Sequence, residues 1–399
     1  MIKIPLAAAL TAAFALPSLA GQNGSATFAV VVVYKEAAPL ANFRVAYRAD
    51  ERMQANPDAW AYLDAGVVGA TQAFERAHGF RAEHVYSNAI NGFSARLSAR
   101  QIQAIENDAL VDYVEADGVV TTNAQTLPWG IDRIDADLST TKAGNGNGTV
   151  ANVNVYVIDT GVWGHADINK VGHVNFAGGI NNDCHGHGTH VAGTVAARDN
   201  TSDVVGVVPG APVTGVKVLA CNGSGTTSGV IKGIDWVTAN AKKPAVANMS
   251  LGGGASTALD DAVKRSANSG VFFAVAAGND GADACTKSPA RAGTHNGVMT
   301  VAATDSTNND PSWSNFGPCV DVWAPGASVL STKINGGTTT MSGTSMASPH
   351  AAGTGALFLS NNIGSTPAAV EAQLKSNLTT PGTTSNGGQA IKLLNAANY

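Results

Sequence analysis

Charge is scarce in this 399-residue chain: Asp, Glu, Lys and Arg make up 13% of it, the net charge is −5, and there is no basic run. That excludes the electrostatic footprint of a nucleic-acid binder. After the first twenty residues no apolar stretch is long enough to span a bilayer, so no membrane partner is expected. Cysteine is limited to Cys184, Cys221, Cys285 and Cys319. None stands at zinc-ligand spacing from Cys184, which argues against a Cys/His zinc site there. The 45 glycines have no period, which excludes collagen-like order and points to a globular chain with many tight turns. The length suits two domains better than one.

The first twenty residues, MIKIPLAAALTAAFALPSLA, carry one Lys, an apolar core and small residues before Gly21. This is the layout of a secretory signal peptide, with cleavage expected after Ala20. Pro5 and Pro17 break the core, which disfavours a membrane anchor. The mature protein is therefore expected to be extracellular, soluble and monomeric. Four cysteines in an oxidising compartment predict two disulfides, with three pairings open. Pairing sequence neighbours would close loops of roughly 35 residues, worth roughly 3–4 kcal/mol each.

Two blocks follow the leader. In residues 28–120, TFAVVVVY reads as a buried strand, residues 56–79 as a helix, and AINGFSARLS as a strand. SARQIQAIENDALVDYVEADG reads as a capped helix followed by a strand, so the block is a small α+β domain. The polar segment TTNAQTLPWG marks a boundary near 123–126. Beyond it apolar strands alternate with helices, which predicts a doubly wound parallel sheet covered on both faces. Function in such a sheet sits at the carboxyl ends of the strands.

Four residues stand at such ends. Asp159 closes VNVYVID, where a buried carboxylate needs a partner; a turn Asp is the plain alternative. His187 opens HGTHVAGTVAAR, and Gly188, Ala192 and Gly193 allow close packing of that helix on the sheet. By itself it reads equally as a metal ligand or a polar residue. Ser345 lies at the start of an apolar helix, where unpaired N–H groups favour an oxyanion, although a serine N-cap is common. Asn279 follows the apolar strand AVAAG and presents an amide donor, or a turn residue.

Together these elements are far less ambiguous, because the chain order Asp, His, Ser is that of subtilisin itself. VIDTGV, HGHGTHVAGT, MSLGGG, AVAAGN and SGTSMASPH all occur at the spacing of subtilisin-like serine proteases. The chain resembles that family over residues 127–395, within the proteinase K subgroup and nearest the aqualysin type. CNGSGTTSGVIKGIDWVTAN and PAVANMSLGGGASTALDDAVK carry that likeness. The first block, through INGFSARLS, resembles the family's inhibitory propeptide.

The resemblance implies a signal peptide over 1–20, an inhibitor-type propeptide over 21–123 and a subtilisin-like catalytic domain over 124–399. It makes Ser345 the nucleophile, His187 the general acid and base, Asp159 its orienting partner, and Asn279 with the Ser345 N–H the oxyanion donors. His190 becomes structural, while His185 falls on the rim without a role. Gly223-Ser224-Gly225 and Ser250-Leu251-Gly252 would sandwich the substrate backbone as an added strand. Ala276, Ala277 and Gly278 would line a pocket for large apolar or aromatic residues. The aqualysin likeness pairs Cys184 with Cys221 and Cys285 with Cys319. It also implies structural calcium at Asp321, with carbonyls from 291–298, and at Asp135; no cofactor is needed for catalysis. The partners are protein and peptide substrates and the chain's own propeptide, which inhibits, aids folding and is cut away around 121–126. No domain is expected beyond residue 395, and 198–212 has no assigned function.

Three rivals fare worse. A metallo-hydrolase of the His-x-His-x-Asp-His type needs an Asp where Thr189 stands. An α/β-hydrolase needs Ser first and G-x-S-x-G, whereas here Gly343-Thr344-Ser345-Met346-Ala347 comes last. A catalytically silent secreted binding module of the same fold would be expected to alter a triad position, and none is altered.

Overall fold

The computed structural model describes residues 26–35, 44–47, 61–87, 89–118 and 125–399. The expected signal peptide and residues 121–124 of the expected processing segment lie outside the described residues. The chain divides into two units, Met1–Thr121 and Thr122–Tyr399.

The first unit carries an antiparallel sheet in the order Ala82–Ser87, Asn91–Ser98, Thr27–Tyr34, Val111–Ala116. Two helices, Ala65–His78 and Ala99–Glu106, cover Val32, Phe93 and Leu97. The second starts in a capping box between Ser98 and Gln101. The expected helix over 56–79 is shorter than its sequence pattern. Ala61–Asp64 pairs with Arg44–Tyr47 as a strand, and Asp64 caps the helix by accepting from the Gly66 and Val67 N–H groups. Residues 56–60 lie outside the described residues. The strand Ala82–Ser87 was not expected, because its pattern is half polar.

The second unit is built on seven parallel strands: β1 (Asn154–Asp159), β2 (Lys170–Asn175), β3 (Val213–Lys217), β4 (Ala245–Met249), β5 (Val271–Ala276), β6 (Val298–Thr304) and β7 (Val322–Pro325). Their order is β7-β6-β5-β4-β1-β3-β2. Alternate residues feed two cores. Val155, Val157, Phe272 and Ala274 pack with residues of α1 (His187–Ala196), α4 (Thr344–Asn361) and α5 (Pro367–Ser376). Tyr156, Ile158, Phe273 and Val275 pack with α2 (Thr227–Asn240) and α3 (Thr257–Asn268). The period-two alternation of a strand is what divides one apolar run between two faces.

The chain builds to one side of β1 through β3 and β2, then returns on the other side with β4. The reversal of strand order therefore falls between β1 and β4, where a sheet of this kind opens a crevice at its carboxyl edge. Asp159 ends β1 and Ser250 follows β4. Gly193 meets Ser331 and Thr332 of the hairpin Val329–Thr332/Thr338–Met341 rather than the sheet, a correction to the expected packing of that helix.

Candidate active site

Asp159 is fully buried and accepts from His187 Nδ1 at 2.8 Å and from the Thr160 N–H at 2.6 Å. Its Oδ2 has no partner among the described residues. Because Nδ1–H donates to the carboxylate, His187 Nε2 is left bare. Burial opposes protonation of His187, but the Asp159 carboxylate and its hydrogen bond, helped by Asp183, outweigh it and raise the imidazole above its ordinary value. The approach of α1 to β1 depends on Gly188: a Cβ there would lie 2.1 Å from Gly161 O and 3.1 Å from Asp159 Cβ.

Sequence reasoning missed the side chains that hold this pair. Asp183, fully buried, accepts from the His185 and Gly186 N–H groups and the Thr160 hydroxyl at Oδ1, and from the Thr189 N–H and hydroxyl at Oδ2. It thereby shapes the loop into His187. Thr160 relays this order by accepting from the Gly188 N–H at 2.9 Å. Lys217 is also fully buried and pairs in register with Asp159 on the neighbouring strand. Its ammonium donates to Thr160 O at 2.7 Å and Leu219 O at 2.8 Å. Burial pushes its pKa down, while Asp183 and Asp159 pull it back up. A charge inside the otherwise apolar run VTGVKVL was the available signal.

Ser345 occupies the second position of α4, not its N-cap, which is Gly343. Pro349 lacks the N–H that would bond Ser345 O four residues back. That carbonyl instead accepts from the Ser250 hydroxyl at 2.6 Å, and the Ser345 hydroxyl donates to Ser250 O at 3.1 Å. Ser250 thus clasps Ser345 from the end of β4, and it lines the same cleft as His187. The Ser345 hydroxyl is directed to Ser250 O rather than bonded to His187.

Asn279 faces the start of α4. Its Oδ1 accepts from the Thr344 N–H at 2.8 Å and the Thr344 hydroxyl at 2.9 Å, which leaves Nδ2 free to donate. The empty Cβ position of Gly343, φ +153°, lies 3.4 Å from Asn279 Nδ2 and 3.6 Å from Ser345 N. Two donors therefore flank one small space beside the serine. Asn315, fully buried, holds the turn that carries Asn279: it donates to Ala277 O and accepts from the Asp280 and Ala282 N–H groups.

The cleft beside His187 has a volume near 500 Å³ and runs between Gly223–Gly225 and Ser250–Gly252. Within the first segment Ser224 O already takes the Ala220 N–H. His185 is exposed and lines this cleft, its ring centroid 6.3 Å from that of His187 and its Nε2 3.0 Å from the Cβ position of Gly223. A second pocket of about 310 Å³ opens beside Ser345, lined by Ala276, Ala277, Gly278 and Leu251–Gly254. Asp280 and Lys287 also line it, bound to each other at 3.0 Å, so its wall is charged but internally neutralised. His190 is fully buried and donates from Nε2 to Val329 O at 3.0 Å. The two disulfides join Cys184 to Cys221 and Cys285 to Cys319, the pairing the resemblance implied. In the segment 198–212, Asp199 accepts from the Gly144, Gly146 and Gly148 N–H groups and fastens that loop.

The residues expected to hold calcium do not fit it. Asp321 Oδ1 lies 2.5 Å from Lys375 Nζ, and Oδ2 accepts from the Thr300 N–H at 2.7 Å. In the neighbouring loop the carbonyls of Ala292, His295 and Gly297 accept from the N–H groups of His295, Val298 and Phe273. Asp135 sits in a left-handed turn, φ +60°, and takes the Asn395 amide at Oδ2. Among the described residues no group of three or more His, Cys, Asp or Glu side chains is arranged to hold a metal ion.

A seven-stranded parallel sheet flanked by helices, with an Asp–His pair, a clasped helix-start serine and an amide donor at its switch point, defines the class: a subtilisin-like fold. Comparison with known proteins agrees. Residues 151–392 match the model of the subtilase family, and residues 49–123 match that of the peptidase inhibitor I9. The chain belongs to the subtilase family. It is 44% identical over 349 residues to the alkaline serine exoprotease A of Vibrio alginolyticus, covering 81% of this chain and 62% of that one. It is also 44% identical over 321 residues to the extracellular serine proteinase of Thermus sp. (strain Rt41A), covering 78% and 76%. The chain thus spans under two thirds of the Vibrio relative's length. A crystal structure of a cold-adapted subtilisin-like serine proteinase superposes with TM-score 0.59 at 45% identity, covering 69% of this chain and 99% of that one.

Proposed function

We propose that the chain is the precursor of a secreted serine endopeptidase of broad specificity that cuts after large apolar or aromatic residues. The observation that carries this reading is the pair of donors, Asn279 Nδ2 and Ser345 N–H, flanking the space beside Gly343. A carbonyl oxygen turning into an oxyanion there meets two fixed donors. The Asp159–His187 pair supplies the base.

The Ser345 hydroxyl leaves Ser250 O and turns to His187 Nε2 as substrate enters. Oγ bonds to the substrate carbonyl carbon, its proton passes to Nε2, and the carbonyl oxygen gains the negative charge. The imidazolium then gives that proton to the leaving amine nitrogen, the C–N bond breaks, and an acyl group remains on Ser345. Water repeats the sequence and frees the acid. Asp159 holds the tautomer and balances the imidazolium. No step needs a metal or cofactor.

Two further parts of the reading rest on the surroundings. The pocket lined by Ala276, Ala277 and Gly278 has room for an apolar side chain, and its one ion pair leaves no net charge for Arg or Lys. The I9-type domain serves as intramolecular inhibitor and folding aid and is removed by self-cleavage around 121–126. Secretion is supported by the leader-like start and by the Thermus relative, which is named an extracellular serine proteinase.

The test is active-site labelling with a fluorophosphonate. Modification at Ser345, lost in Ser345→Ala together with casein digestion, supports the peptidase; an unlabelled folded protein leaves a silent binding module. A peptide-library profile showing cuts only after basic residues would refute the pocket.

A further inference from the structure

Asp321, Glu371 and Lys375 form a small buried-charge cluster on the far side of the sheet from the mouth of the crevice. Asp321 immediately precedes β7, while Glu371 and Lys375 lie one turn apart on α5. The Asp321 and Glu371 side chains are 10% and 7% exposed. Lys375 Nζ is 2.5 Å from Asp321 Oδ1 and 2.5 Å from Glu371 Oε1. The outer oxygens are used as well: Asp321 Oδ2 accepts from the Thr300 N–H and Glu371 Oε2 from the Gly297 N–H. Each carboxylate thus has one oxygen on the backbone at the start of β6 and one on the ammonium.

Two carboxylates this close and this dry repel one another unless a cation lies between them. The Ala292, His295 and Gly297 carbonyls of the neighbouring loop already accept backbone N–H groups, so with the ammonium in place the site offers a metal too few free oxygens. We propose that the Lys375 ammonium is the resident cation of this site and stands in place of a divalent metal, tying α5 to the edge of the sheet. The donor set supports this: calcium wants six to eight oxygens, whereas an ammonium with three donors is satisfied by two carboxylate oxygens and solvent. The inference does not depend on the catalytic reading.

The proposal predicts that deleting the ammonium uncovers a divalent-cation site. The mature enzyme, inactivated at Ser345, is melted in calcium chloride and in EDTA. The parent's calcium-dependent rise in melting temperature, from whatever sites it has, sets the baseline. Lys375→Ala should melt several degrees lower in EDTA and show a larger calcium-dependent rise than the parent. Lys375→Arg should behave as the parent does. An equal calcium response in Lys375→Ala and the parent overturns the proposal. Should Lys375→Ala fail to fold, Glu371→Gln decides on the Lys375 background. A calcium response equal to the parent's supports a site already filled by lysine. A diminished response means that calcium binds there in the parent, and the proposal falls.

Discussion

Two histidines beneath the crevice should make this fold acid-labile, and their hydrogen bonds say by how much. His190 donates from Nε2 to Val329 O, and His350 donates from Nδ1 to Met346 O. A carbonyl only accepts, so each ring is neutral with its second nitrogen bare, and those nitrogens, His190 Nδ1 and His350 Nε2, have no hydrogen-bond partner among the described residues. Protonation would create an unpaired buried cation in each case. Burial is the main cause that pushes both down to about 4; backbone contacts with Val329 and Thr339 at His190, and with Met346 and Ala347 at His350, oppose it, while the charge on His187 adds to it for His190 and that on His190 for His350. In the unfolded chain each titrates near 6.5. Between those values the unfolded state binds more protons, so stability is whole above pH ~6.5 and drains as pH falls toward ~4. Each ring then costs about 2 kcal/mol at pH 5 and about 3 kcal/mol below pH 4.

Asp167 and Asp321 work in the opposite sense. Burial pushes both carboxyls up to about 6, so the fold gains stability as pH falls through that value. The parent's net slope is therefore a poor test, and the difference between parent and variant is the right one. Gln at 190 and Asn at 350 place an amide donor where each ring's N–H stands. In the inactivated mature enzyme, His190→Gln and His350→Asn should each lose about 2 kcal/mol less than the parent between pH 7.5 and 5.0, roughly 4 °C in melting temperature. Parallel pH profiles for parent and variants would refute the reasoning.

Four other outcomes follow from the site. Asn279→Ala should lower kcat with little change in KM, and the loss known for the corresponding donor in subtilisin is on the order of 100- to 1000-fold; initial rates on a chromogenic peptide read it. The kcat/KM profile should rise with pH through a value above the ordinary histidine 6.5, because the Asp159 carboxylate outweighs burial at His187; a limb below 6.5 contradicts that balance. Asp183→Asn puts an amide N–H against donors from Thr189 or His185, so both kcat and melting temperature should drop, with peptide kinetics and calorimetry as readouts. Replacing Cys184 and Cys221 together by Ala opens a loop of separation 37, which costs about 4 kcal/mol in the chain-entropy model and is measurable by denaturant unfolding.

The parts of this site legible in the sequence were those set by short-range pattern. Asp159, Asn279 and Ser345 each stand where an apolar run meets glycine or small residues, and the strands β1, β3, β4, β5 and β6 are continuous apolar stretches. β2 was not legible because Lys170, Gly172, His173 and Asn175 interrupt it: it is the sheet's edge, with solvent to meet. β7 hides behind Pro325, tolerated because this strand too is an edge. α5 was overlooked although Thr366 caps it and Pro367 opens it. The ion pair at Asp321 was not legible for a different reason. A ligand position carried over by resemblance says nothing of Lys375, which lies 54 residues further on and arrives only when α5 docks.

What no local pattern reveals is why Ser345 is held as it is. A serine in the first turn of a helix has a free N–H by rule, yet its carbonyl would ordinarily be locked into the helix. Pro349 frees that carbonyl, Ser250 takes it, and the Ser250 carbonyl in turn receives the proton of the Ser345 hydroxyl. Ser345 is thus anchored through its backbone while its hydroxyl keeps a single, breakable bond. Ser250→Ala keeps the carbonyl and removes only the hydroxyl clasp. If that clasp positions Ser345, the variant should lower kcat while leaving fluorophosphonate labelling complete at long times but slower. An unchanged labelling rate would mean that α4 needs no such hold.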